Sequence, residues 1–108
     1  MSIYISFEHG QPYGAVLMPY PQGKATLSIF GDISLLEILA DTIDDNDGVD
    51  VIEIAQDTLE LDSHWLETIR VIEIEYQVSV DSLCSIVCDA ISLVYDCDIT
   101  VDRKRRDQ

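Results

Sequence analysis

Residues Ser2 to Phe7 alternate, with Ile3, Ile5 and Phe7 on one side and Ser2, Tyr4 and Ser6 on the other. This is the period-two pattern of a half-buried strand. Turn formers follow from His9 to Gly14. A second apolar run, Ala15 to Met18, ends at Pro19-Tyr20-Pro21-Gln22-Gly23, where two prolines and a glycine interrupt a ladder. Ala25 to Phe30 alternates again. Three such runs with short loops predict an antiparallel meander, because a parallel crossover needs a far longer connection.

The period changes at Gly31. Ser34 and Glu37 have the spacing of a capping box, and Leu35, Leu36, Leu39, Ala40 and Ile43 form one helical stripe. Asp44-Asp45-Asn46-Asp47-Gly48 should end that helix, since Asn and Gly tolerate the left-handed conformation. Val49 to Ala55 is rich in β-branched residues and predicts a fourth strand, extended towards Leu59 and Leu61. Trp65 to Val80 fits two templates. Trp65, Ile69, Ile72 and Tyr76 are spaced as a helical stripe, whereas Ile72, Ile74, Tyr76, Val78 and Val80 alternate as a strand. The N-cap residues Asp62 and Ser63 and the helix formers after them favour a helix from Ser63 to Tyr76; otherwise residues 69–80 are a long central strand. A last helix, capped by Ser79 or Asp81, runs to Tyr95. The expected class is α+β, a small antiparallel sheet of three to four strands with about three helices on one face, in the order βββαβαα.

At 108 residues and 12.1 kDa the chain has room for one domain. With 47% hydrophobic residues it lies outside the composition that stays disordered. Charge alters the picture more. The formal net charge is −15, and four of the six basic residues, Arg103 to Arg106, stand together near the C-terminus. Residues 1–102 form an acidic body with two basic residues against twenty acids, a net of −18. Residues 103–108 are expected to be a basic, disordered tail.

Cys84, Cys88 and Cys97 are odd in number, and no apolar run approaches the roughly 18 residues of a membrane span. The N-terminus lacks the basic segment of a secretory signal. These features point to a reducing, cytoplasmic location with the cysteines as core side chains. No metal or cofactor is expected. The acids around Gly48 invite a calcium loop, but with Gly48 as its sixth residue the first and last ligand positions fall on Ile43 and Ile54. His9 and His64 are far from the cysteines and from each other, so zinc spacing is lacking.

Asp81-Ser82-Leu83, heading a helix, resembles the phosphopantetheine attachment segment of acyl carrier proteins. The resemblance covers about twenty residues. Predicted sheet precedes the segment and only nine residues follow Ile99, too few for a carrier's remaining helix, so the modification is not carried over to Ser82. His64 beside Asp62 and Ser63 cannot converge as a triad. No glycine-rich phosphate loop is present, and no catalytic role is assigned.

Charge therefore guides the functional expectation. A globule of this length has a radius of gyration of about 13 Å, hence a diameter of roughly 30 to 35 Å. Duplex DNA carries on the order of 18 to 20 phosphates over that distance. The body's charge is comparable, and it opposes direct nucleic-acid binding. The expected function is an acidic, protein-binding inhibitor, in its sharpest form a DNA mimic of the sort phages and plasmids deploy. Its partner would be a basic nucleic-acid-binding protein, nuclease or toxin. An immunity protein or antitoxin, or a non-catalytic adapter whose acids only solvate it, are the alternatives. The candidate partner-binding residues are Asp41, Asp44, Asp45, Asp47, Asp50, Glu53, Asp57, Glu60 and Asp62.

Overall fold

The computed structural model describes residues 2–7, 14–30, 34–62 and 65–104, and the side chains of all these except residues 56–62, 65–68 and 104. The elements in chain order are β1 (Ser2–Phe7), β2 (Gly14–Tyr20), β3 (Lys24–Phe30), α1 (Leu36–Asp44), β4 (Val49–Asp62), β5 (Trp65–Tyr76), α2 (Val80–Tyr95) and β6 (Ile99–Lys104). The six strands form one antiparallel sheet in the spatial order β4-β5-β3-β2-β1-β6. The chain is thus an α+β protein, and its N-terminal meander is β1-β2-β3.

Two departures from the sequence reading share one cause. Residues 65–76 are strand β5, not a helix, which makes six strands and two helices among the described residues, in the order βββαββαβ. β5 lies between β3 and β4, pairing with β4 along its length and with β3 from Arg70 to Glu75. A segment rich in Thr, Ile and Val satisfies more backbone groups in that slot than a helix beside the sheet would. The apparent helical stripe dissolves there. Ile72 and Ile74 belong to the main core, while Ile69 is buried apart from it. β5 ends at Tyr76, so Val78 precedes α2. The second departure is at the C-terminus, where Arg103 and Lys104 complete β6 against β1 and are not part of a tail. Residues 105–108, with Tyr13, His9, Ser63 and His64, lie outside the described residues.

The register explains where the core sits. The row Arg103–Ile3–Leu17–Leu27–Ile72–Ile54 crosses all six strands, and its four central residues are fully buried. Leu39, Ala40 and Ile43 of α1 and Leu83, Val87, Ala90 and Ile91 of α2 close over that face. The neighbouring row, Asp102–Tyr4–Val16–Ser28–Val71–Ala55, points to the opposite face, and its side chains are half-buried or exposed. One side of the sheet is core and the other is surface, as the alternation in β1 and β3 requires.

Local details follow the same logic. Pro19 sits inside β2, but the β1 pairing ends at Leu17, so the missing N–H removes no ladder bond. Gln22 and Gly23 both take positive φ in the β2–β3 turn. Ser79 is the N-cap of α2 and its Oγ accepts from Ser82 N at 3.1 Å. The N-cap of α1 is Leu35, one residue after the Ser34 that the capping-box spacing singled out.

Candidate functional site: an acidic flank at one sheet edge

The sequence between Lys24 and Arg70 contains twelve acids and no Lys or Arg. The fold sets most of that stretch at one edge of the molecule, because α1 leads directly into β4 and β4 is a terminal strand of the sheet. Glu37, Asp41 and Asp44 of α1 and its C-cap Asp45 recur at helical spacing on its exposed side. Asp47 follows in the turn, Asp50 and Glu53 in β4, and all seven side chains are exposed. Among the predicted site residues, then, Asp41, Asp44, Asp45, Asp47, Asp50 and Glu53 come together on one flank. Asp57, Glu60 and Asp62 continue along the same strand, with side chains outside the described set.

The two acidic elements meet across a groove of about 400 Å³. Glu37, Ala40, Asp41 and Asp44 line it from the helix and Val51, Ile52, Glu53 and Ile54 from the strand. Asp44 Oδ1 accepts a hydrogen bond from Val51 N at 2.9 Å, which ties the C-terminal end of α1 to the start of β4. Just beyond, β4 bulges. Val51 faces Ile74 and Glu53 faces Glu73, leaving Ile52 as the extra residue. Ile52 and Ile54 remain 56% and 38% exposed. The flank is therefore an apolar floor with an acidic rim and not an unbroken field of carboxylates.

Sequence reasoning missed Glu37, Glu73 and Glu75. Glu37 could have been found from its helical spacing to Asp41. Glu73 and Glu75 could not, because reading residues 63–76 as helix removed the face they share with Glu53. Glu73 is hydrogen-bonded to Glu53, and that bond, with desolvation and the neighbouring negative charge, raises its pKa above the usual carboxylate value against the opposing pull of Lys24. A second hollow of about 350 Å³ lies beside this pair, lined by residues including Tyr20, Lys24, Ile52, Glu73 and Glu75.

Of the described basic residues, Lys24 faces Glu75 across β3 and β5. Arg70 is on the helix side of the sheet, in the row of Ile29 and Ala15. Arg103 is at the far edge, its Nη1 2.5 Å from Asp81 Oδ1 in the first turn of α2. Among the described residues no three His, Cys, Asp or Glu side chains converge as metal ligands, and no helix is long and apolar enough to cross a membrane. Cys84 and Cys88 lie one helical turn apart with their Sγ atoms at 3.9 Å. No family model, curated protein or solved structure matches this chain.

Proposed function

We propose that this protein binds a basic protein surface through the α1–β4 flank, acting as an acidic inhibitor that competes with nucleic acid for that surface. The observation that carries the reading is the gathering of the cation-free stretch at one edge, with acids from the helix and from the strand on the two sides of one groove. Charge on an edge strand also discourages pairing with stray chains. That role would require acids on β4 alone and gives no reason for Glu37, Asp41 and Asp45 on the adjacent helix.

Scale supports the reading as well. The longest dimension of the molecule is 41 Å. Duplex DNA carries roughly 24 phosphates over that length, against a formal net charge of −15 here. The same order of charge, on a surface held by a sheet, gives steering towards sites that normally hold a phosphate backbone.

The test is competition. Purified protein is titrated into complexes of labelled duplex DNA with several unrelated basic DNA-binding proteins, at low and high salt. The proposal expects DNA to be displaced from more than one of them, an effect that fades with salt and is lost in the variant D41K/D45K. Displacement from a single cognate enzyme would point to an immunity protein, and displacement insensitive to salt would remove the electrostatic basis.

A further inference from the structure

We infer that the α1–β4 groove receives a basic, extended segment of the partner, laid along β4 as a seventh strand, with apolar residues on Ile52 and Ile54 and basic residues on the acidic rim. The inference rests on the proposed acidic-surface function and names what that surface recognises.

Three independent features lead there. The first is topological. Among the described residues β4 ends the sheet with no strand neighbour on one side of its backbone, and such an edge accepts an added strand through main-chain hydrogen bonds. Asp44 occupies the Val51 N–H at the start of the strand, so pairing begins beyond the bulge at Ile52.

The second is the apolar floor. Ile52 and Ile54 are large aliphatic side chains left substantially exposed in a strand otherwise marked by acids, and they stand together inside the groove with Ala40 and Val51. Solvation of a charged surface does not require them. An incoming chain that covers them gains the burial that an acidic rim alone cannot provide.

The third is charge complementarity and shape. The rim has Glu37 and Asp41 on one side and Glu53 on the other. An extended peptide presents alternate residues to opposite sides, so apolar and basic positions in alternation meet floor and rim together. A helix is about 10 to 12 Å across with its side chains, and the groove's 400 Å³ would seat only about one turn of it.

The test uses three fluorescent peptides of equal charge: alternating Lys and Val, the same peptide with Gly for Val, and a helix-forming Lys/Leu amphipath. Binding is read by anisotropy and, for the Lys/Val peptide, by hydrogen exchange. The expected result is preferential, salt-sensitive binding of the Lys/Val peptide with slowed exchange of β4 amides beyond Val51. Ile52→Ser and Ile54→Ser should each weaken it roughly tenfold, whereas Ile38→Ser, exposed on α1 but outside the groove, should leave it unchanged. All three sites are exposed, and circular dichroism checks that each variant is folded.

Equal binding of the Lys/Gly peptide, tighter binding of the helical one, no binding of any, or no protection on β4 would each overturn the inference. So would a dimer of the free protein that Ile52→Ser dissociates, which would make a second copy the occupant. DNA displacement by the intact protein is measured separately, so the groove can fail while the acidic-surface function stands.

Discussion

Glu53 of β4 and Glu73 of β5 face each other directly across the sheet, two carboxyl groups in a position where strands ordinarily avoid like charge. Their hydrogen bond requires a proton, which is why Glu73 titrates above its usual value of 4.5. For a carboxyl with a raised folded-state pKa, the associated stability is complete below the unfolded value and is lost as pH rises through the folded one. Glu73→Gln should therefore raise the urea midpoint near pH 7, with the gain disappearing below about pH 4. A gain that is the same at both pH values would show that the shared proton is not its source.

Gly23 is the glycine the sheet most depends on. Its φ is +74°, its carbonyl accepts from Tyr76 N at 2.7 Å, and a Cβ there would lie 2.6 Å from the Tyr76 oxygen. Gly23→Ala combines a backbone penalty with a clash against main chain, and should cost about 1 to 3 kcal/mol. Denaturant unfolding measures it; a loss below a few tenths would mean that the turn and β5 separate easily.

Asp44 and Asp45 are adjacent acids with different duties. Asp44 holds the Val51 N–H, so Asp44→Ala should lower stability by about 0.5 to 1.5 kcal/mol. Asp45 makes its hydrogen bond through its backbone N–H, and Asp45→Ala should leave stability near the native value while removing the same charge from the flank. Thermal melts of the two variants side by side test the assignment, and equal losses would refute it.

Cys88 and Cys97 should be sluggish thiols. Burial, then the Cys84 thiol beside it and Asp89, push Cys88 up from 9.0 to about 12. Burial and the neighbouring Asp98 and Asp96 raise Cys97 as well. At pH 8, iodoacetamide should modify both far more slowly than a free thiol, with the difference vanishing in denaturant. The sign of the linkage also predicts falling stability as pH climbs from about 9 towards 12, because the unfolded thiol ionises first. Rapid native-state alkylation at Cys88 would contradict this.

Ser79→Ala should cost about 0.5 to 2 kcal/mol, the usual range for losing an N-cap side chain, since Ser79 Oγ accepts from Ser82 N. Urea unfolding measures it, and a variant as stable as the native chain would refute the cap.

Much of the fold was legible in the chain. Alternation in Ser2–Phe7 and Ala25–Phe30 placed β1 and β3, the stripe of Leu35, Leu36, Leu39, Ala40 and Ile43 placed α1, and the cap expected at Ser79 or Asp81 marked the start of α2, where Ser79 takes it. Each of these signals is local, arising from which side of an element must leave water. The charge of the flank was legible too, as a stretch without Lys or Arg.

Local pattern left Trp65–Tyr76 undecided because its apolar residues satisfy both periods. Only the tertiary structure could settle it, by offering β5 a place with hydrogen-bonding partners on both sides, and that one assignment then set Glu73 opposite Glu53 and put β4 at the sheet's edge. Composition likewise determined that the protein is strongly acidic. Where the acids stand, and that Ile52 and Ile54 lie exposed among them, depended on long-range strand pairing and a bulge, which no short window of sequence encodes.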